Sequence, residues 1–356
     1  MNDDLPDVVR LHAGRINFDS TISRRLVHRN YIDHVLVTDL VRLDEDRFLC
    51  GARLPQSHVY FNETSEAARS SGILLAAETM RQSCIALSHK YLEISPEFSY
   101  ILQRASCTVE KLGPCTMTPE ISNLILDVRM TDRQYRRSGE LVGLVAESTT
   151  YCADERVMSA RGEWIFVPKK MYERLRKRGG DSNGNGNGNG HEHPAPQIPI
   201  APEKVGRTRL QNVVITAMTQ REPDLLEAYV VVDANHPYFF EHKLDHVSGM
   251  LLLEACNQVG IATATRLCGF APQDVVFRCF DANFHSFAAL EEPIKLMARV
   301  QRDAGEPFGS CALALDVFLT QAGEPLAECR IGMTPQVALP AILAAETRIM
   351  AGSERA

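Results

Sequence analysis

Two glutamates sit where the surrounding sequence reads as buried helix. Glu254 follows Leu251, Leu252 and Leu253 and precedes Ala255; Glu78 lies among Ala76, Ala77 and Met80. An ionised carboxylate resists burial unless it is paired or its pKa rises. Each therefore reads in one of two ways. It is a carboxylate that hydrogen-bonds a neighbouring loop, or a general acid–base or substrate-orienting group with a raised pKa. Arg81 and Gln82 follow Glu78 at helical spacing and share its face. That set is an ordinary ion pair, or one in which Arg81 holds an anion such as phosphate by a bidentate contact. The corresponding set is Glu254, Asn257 and Gln258, where Asn257 brings hydrogen-bonding capacity but no charge. The two sets cannot bind an anion equivalently.

His236, His242 and His246 cluster ahead of the second of these segments, beside Glu241 and Asp245. Their spacing matches no helical zinc pair with a following ligand, so no metal site is expected. Asp245-His246 leading into Gly249 reads as a tight loop aimed at a helix N-terminus. Free N–H groups and a positive dipole there suit a thioester carbonyl or an oxyanion. Loop hydrogen bonding is the plainer role for the same histidines. The chain has no G-x-S-x-G, no G-x-x-x-x-G-K-[ST] and no post-strand G-x-G-x-x-G, so hydrolase-elbow, P-loop and dinucleotide readings lack support.

These residues recur because the chain repeats itself. Ser71-Gly72-Ile73-Leu74-Leu75-Ala76-Ala77-Glu78-Thr79-Met80-Arg81-Gln82 is preceded by Leu54-Pro55-Gln56-Ser57-His58. Ser248-Gly249-Met250-Leu251-Leu252-Leu253-Glu254-Ala255-Cys256-Asn257-Gln258 is preceded by His236-Pro237-Tyr238-Phe239-Phe240. Each repeat places a His-bearing loop ahead of an apolar helix. Alternating strands are expected after each helix, at 121–130, 141–150 and 157–167, then at 294–301, 311–319 and 326–333. Turn residues between them predict antiparallel pairing and an α+β fold. A helix that is apolar nearly all round must be wrapped by its sheet. Between the repeats, 179–206 carries Asn-Gly repeats and then a Pro-rich stretch, a composition that reads as a flexible linker. The expected division is a first domain at 1–178, the linker at 179–206 and a second domain at 207–356.

The 356 residues carry a net charge of −7, and that lack of a basic footprint argues against a nucleic-acid binder. No apolar run reaches the length of a membrane span. The ten cysteines form no C-x-x-C pair, which reads as scattered buried thiols. The N-terminal segment lacks a secretory pattern. A soluble, cytoplasmic protein is expected.

The segment from His236 to His242, continued by Asp245-His246-Val247-Ser248-Gly249-Met250-Leu251-Leu252-Leu253-Glu254-Ala255, resembles the A-factor biosynthesis hotdog family, the AfsA-like γ-butyrolactone synthases. Leu54-Pro55-x-Ser57-His58 and Ala77-Glu78-Thr79-Met80-Arg81-Gln82 look like that family's first repeat. The resemblance implies a double hotdog, two antiparallel sheets each wrapping a long helix, packed as a pseudo-dimer within one chain. It also implies transfer of a β-ketoacyl group from acyl carrier protein to dihydroxyacetone phosphate or a related hydroxylated acceptor, with ring closure to a butenolide. No cofactor is called for. More distantly, Gly249 to Gln258 is similar to the helix start of β-hydroxyacyl-carrier-protein dehydratases. By that analogy His242 or His246 is the loop histidine and Glu254 the helix carboxylate. The family places an Arg where this chain has Asn257. The resemblance therefore leaves the phosphate to Arg81 or another basic group such as Arg278, or else implies an uncharged acceptor. A thioesterase- or dehydratase-like enzyme and a non-catalytic acyl-binding module are the alternatives.

Overall fold

The apolar segments bearing Glu78 and Glu254 are helices. In the computed structural model, which describes residues 6–55, 57–63, 72–111, 123–152, 154–172, 174, 197–302 and 305–335, a short α1 (Asp7–Ala13) precedes two long helices, α2 (Ile73–Tyr91) and α3 (Gly249–Cys268). Ser248 caps α3 by accepting from the Leu251 N–H, and Gly269 ends it in the left-handed conformation at φ 71°. Most side chains of both helices are buried on every side, Glu78, Gln82, Glu254 and Gln258 included.

What buries them is sheet. The first half contributes β1 (Val37–Arg42), β2 (Arg47–Arg53), β3 (Phe98–Val109), β4 (Asn123–Tyr135), β5 (Leu141–Cys152) and β6 (Glu155–Pro168). The second contributes β7 (Thr219–Glu222), β8 (Leu225–Val230), β9 (Val275–Phe284), β10 (Ile294–Gln301), β11 (Leu313–Gln321) and β12 (Glu324–Pro335). The order β1-β2-β4-β5-β6-β3 in one half is repeated as β7-β8-β10-β11-β12-β9 in the other. The halves meet where β3 pairs antiparallel with β9, Ala105 opposite Ala282. The two expected sheets are thus one continuous twelve-stranded sheet. Joining like edges removes an unpaired strand edge from each half. Arg104 and Asp281 form a bidentate pair across this seam, at 2.6 and 3.0 Å. The pair is largely exposed, so the backbone ladder rather than the charges holds the junction.

Close helix–sheet contact depends on Gly260. A Cβ there would meet Met333 Sδ at 2.7 Å and Ile331 Cδ1 at 2.9 Å, so a side chain at this point of α3 would have to push the ends of those two β12 side chains aside. The six expected strands are β4, β5, β6, β10, β11 and β12, with ends displaced by a few residues. The strands flanking each helix were not read from the sequence. In β3 most positions are half-buried or exposed, so its alternation is weak.

Of the expected linker, 179–196 lies outside the described residues. Residues 197–206 are built into the second half. The Ile200 N–H donates to the Ile215 carbonyl at 3.0 Å, and Pro202–Val205 is a 3-10 turn that buries Val205. The second half therefore begins before 207: composition suggests a tether, but an apolar anchor and a main-chain pair fasten it. Among the described residues, no helix is long and apolar enough to cross a membrane.

Candidate active site

Each buried carboxylate is met first by an arginine from its own half. A 3-10 turn at Arg24–Val27 ends in His28, which is left-handed, and Arg29 follows. The second half repeats the device with Pro202–Val205, left-handed Gly206 and Arg207. Arg29 donates to Glu78 Oε1 at 2.6 and 3.1 Å. Arg207 donates to Glu254 Oε1 at 2.7 and 3.1 Å. The glutamines lock each helix to the segment after its turn. Gln82 accepts from the Leu36 N–H and donates to the His34 carbonyl; Gln258 accepts from the Val214 N–H and donates to the Asn212 carbonyl. Both amide atoms of Gln258 are thus engaged within the protein.

The His-bearing loops then cross to the opposite half. In both, the histidine Nδ1 accepts two N–H groups of its own loop: His58 from Tyr60 and Phe61, His236 from Tyr238 and Phe239. Nδ1 is therefore an acceptor, and each ring is neutral with its proton on Nε2. Burial pushes both imidazoles down to about 4, in keeping with that state. Tyr60 and Tyr238 stack where the loops pass, rings 4.7 Å apart and nearly parallel. Beyond this crossing Glu241 reaches the first half and Glu63 reaches the second.

The resulting clusters differ in charge and access. In the first, Glu241 accepts from Arg29 at 2.9 Å and from His34 Nδ1 at 2.7 Å. Arg81 donates to both oxygens of Glu78, at 2.8 and 2.9 Å, and Gln82 adds a bond at 2.7 Å. Burial by itself would raise the Glu78 carboxyl, but Arg29 and Arg81 together hold it well below the usual carboxylate range. A raised-pKa role for Glu78 is thereby corrected: two guanidinium groups outweigh desolvation. In the second cluster Glu254 accepts from Arg207, Tyr60, Asn257 and Gln258. Glu63 lies 3.9 Å from Arg207 and is bonded to Thr208, Arg209 and Asn212.

Counting imidazoles as neutral, Arg29 and Arg81 against Glu78 and Glu241 give 2 − 2 = 0. Arg207 against Glu254 and Glu63 gives 1 − 2 = −1. The first cluster opens outward through Arg81, whose side chain is 26% exposed, and His242, at 42%. In the second, the side chains of Arg207 and Glu63 are 5% and 3% exposed.

His242 belongs to the first cluster, 3.9 Å from Glu241. The pairing of His242 with Glu254 is corrected: loop crossing gives each helix carboxylate the loop of the other repeat. His246 lies aside, against Asp245 at 2.7 Å and Tyr172 at 3.1 Å. Gly249 opens α3 and packs near Phe284. Arg278 on β9 donates to the Glu110 carbonyl at 2.9 Å and joins neither cluster. Sequence reasoning missed Arg29, Arg207, His34, Tyr60 and Glu63. Extending the repeat upstream would have matched Arg29 with Arg207, but nothing local marks either one.

The chain matches the family model of the A-factor biosynthesis hotdog domain twice, over residues 14–160 and 191–335. It is 34% identical over 245 residues to a 2-oxo-3-(phosphooxy)propyl 3-oxoalkanoate synthase of Streptomyces virginiae, covering 68% of this chain and 77% of that one. It is 30% identical over 283 residues to the synthase of the same description from Streptomyces griseus, covering 79% and 86%. Among solved structures it is similar to a putative oleoyl thioesterase from Lactobacillus plantarum at 9% identity and a TM-score of 0.49, covering 82% and 96%. Two copies of one strand order, two matches to one family model and relatives spanning both halves place this chain in the A-factor biosynthesis hotdog family.

Proposed function

We propose that the chain is an acyltransferase that moves a β-ketoacyl group from an acyl carrier protein thioester to a hydroxyl of dihydroxyacetone phosphate, at the Glu78–Arg81–His242 cluster. The observation that carries this is Arg81: a guanidinium anchored on a buried carboxylate yet open to solvent suits the phosphate of an incoming acceptor. The relatives' name describes an ester of a β-keto acid with a phosphorylated triose, which supports that donor–acceptor pair.

Burial holds the His242 imidazole below its ordinary value, with Glu241 opposing, so it is a neutral base at pH 7. It takes the acceptor's hydroxyl proton as that oxygen attacks the thioester carbonyl. Collapse of the tetrahedral intermediate breaks the C–S bond, and the departing thiolate takes the proton back from His242. Glu78, ionised and held by five hydrogen bonds from Arg29, Arg81 and Gln82, orients Arg29 and Arg81 rather than moving a proton itself. The carbon between the two carbonyls of the ester product is already acidic, so aldol closure to a butenolide follows from the product's own chemistry. The second cluster, closed and net negative, serves as structure.

The test is incubation with a β-ketoacyl carrier protein with and without dihydroxyacetone phosphate. Acceptor-dependent loss of thioester supports transfer. Loss without acceptor points to hydrolysis, and no loss in either arm refutes catalysis.

A further inference from the structure

The sequence scatters its cysteines, but the fold brings two of them into contact. Cys279 on β9 and Cys311, just ahead of β11, are 32 positions apart, and their Sγ atoms lie 3.7 Å from each other. β12 runs between those two strands, with Cys279, Gly332 and Ala314 opposite one another. Ladder positions two strands apart are about 9–10 Å from each other, too far for a disulfide. Two features close that gap. Cys311 lies outside the β11 ladder, after the 3-10 turn Phe308–Ser310, and its N–H donates to the Phe308 carbonyl at 3.0 Å. Beneath the sulfurs, β12 has no side chain. A Cβ on Gly332 would meet Cys311 Sγ at 2.5 Å and Cys279 Sγ at 2.6 Å, so glycine leaves the two thiols room to meet.

Phe308 and Ala314 form a small apolar cluster with Cys279, and the Arg330 guanidinium lies over the Phe308 ring at 5.7 Å. Ile331 and Met333, the neighbours of Gly332 on β12, face α3 at Gly260, so the sulfurs lie on the face of the sheet turned away from that helix. Cys279 is fully buried, whereas Cys311 is half-buried. A hydrogen bond from the Cys279 thiol draws Cys311 down from 9 to about 7, against its partial burial. The same bond and burial push Cys279 up. At neutral pH Cys311 is therefore in good part thiolate, the reactive form, with an intact thiol in contact with it. Among the described residues the other cysteines lack this combination. Cys50, Cys84, Cys107 and Cys152 are buried, and Cys256 and Cys329 neighbour each other but are closed off from solvent. Cys268 is exposed, with its thiol pushed up.

We propose that Cys279 and Cys311 are a redox modification site, a dithiol that a small peroxide oxidises to a reversible disulfide across Gly332. The Cys311 thiolate attacks one peroxide oxygen. The O–O bond breaks, leaving a sulfenic acid on Cys311 and a hydroxide that takes up the proton Cys311 had released. The Cys279 sulfur then attacks the sulfenic sulfur; the S–S bond forms, the S–O bond breaks, and the Cys279 proton leaves with the oxygen as a second water. Two thiols lose two electrons in all, and one peroxide is reduced to two waters. The sulfurs close from 3.7 Å to about 2.05 Å, a movement within reach of the short turn that carries Cys311. The new bond ties that turn to β9, the strand through which the halves join. Exchange with a small dithiol reverses it. None of these residues belongs to the transfer site, so the inference does not depend on the transferase reading.

The test treats the reduced full chain with hydrogen peroxide at neutral pH, alkylates the remaining thiols in denaturant, and maps the digest by mass spectrometry without reductant. Wild type should yield a peptide pair joined through Cys279 and Cys311, which dithiothreitol separates. Cys311 should be consumed roughly tenfold or more faster than Cys268, because a lower pKa raises the thiolate fraction more than it lowers nucleophilicity. In Cys279→Ala, oxidation should stop at a Cys311 sulfenic acid that dimedone traps. In Cys311→Ser, Cys279 should stay reduced at the same peroxide dose. Melting curves check that both variants fold, and the wild-type map decides the matter by itself if either does not. Oxidation of Cys268 ahead of an unlinked, fully alkylated Cys279 and Cys311 would overturn the inference. So would a wild-type Cys311 that ends as sulfinic acid, or one linked to a cysteine other than Cys279.

Discussion

Tyr60, from the first half, donates its hydroxyl to Glu254 of the second at 2.7 Å. Both groups are fully buried, and the tyrosine reaches its partner only because the two loops cross. This contact marks the Glu254 cluster as a closed brace between halves. Tyr60→Phe leaves a buried carboxylate oxygen short of one donor and should lower stability by about 1–3 kcal/mol. Glu254→Gln should cost more, about 3–5 kcal/mol, because it strips the nearest anion from a buried Arg207. Urea titration measures both. Activity per folded molecule should stay near wild type in both variants; a rate loss at unchanged stability contradicts the assignment.

Arg81 and Asn257 occupy matching helix positions with unlike consequences. Arg81→Ala should raise KM for the phosphorylated acceptor by about 10- to 150-fold, the equivalent of a charge-assisted contact worth about 1.5–3 kcal/mol. Asn257→Arg should not improve use of that acceptor, because its side chain bonds Glu254 within the closed brace. Specificity constants for phosphorylated and unphosphorylated acceptors in the three proteins decide the matter.

The pH profile of kcat/KM should report His242. As a base it works only when neutral, and burial lowers its pKa below 6.5. The acid limb should therefore rise with pH and level off before neutrality. His242→Gln should abolish that limb along with roughly 10²-fold or more of the rate. A limb that survives in this variant assigns the base to another group.

Acid unfolding should report Glu78. Its folded pKa lies below the unfolded value of 4.5, so its contribution to stability is complete above 4.5 and fades as pH falls toward the folded value. Glu241 shifts in the same direction. Denaturant titrations from pH 5 to pH 2 should show stability falling through this window, with a shallower fall in Glu78→Gln. Equal slopes in the two proteins would mean that the ion network contributes nothing in acid.

Periodicity carried much of the fold. The repeated helices, the strands β4–β6 and β10–β12 and the antiparallel class follow from alternation and burial, which are local properties of the chain. The strands at the seam did not, because neither alternates cleanly: β3 is half-buried or exposed at most positions and β9 is buried at most. The carboxylates Glu78 and Glu254 were legible as polar intrusions in apolar helices, and Arg81 and Asn257 as the difference between them. Their partners were not. Arg29 stands 49 positions before Glu78, and Glu241 stands 212 beyond Arg29, so no local pattern couples them. Local sequence pairs His242 with Glu254, on the helix it precedes. Only the crossing of two loops at Tyr60 and Tyr238 delivers it to the first cluster, beside Glu241, giving one open neutral cluster and one closed negative one. Residue types and helical spacing set which side chains were available for chemistry; the antiparallel joining of β3 to β9 brought the halves together, and the loop crossing decided which of those side chains meet.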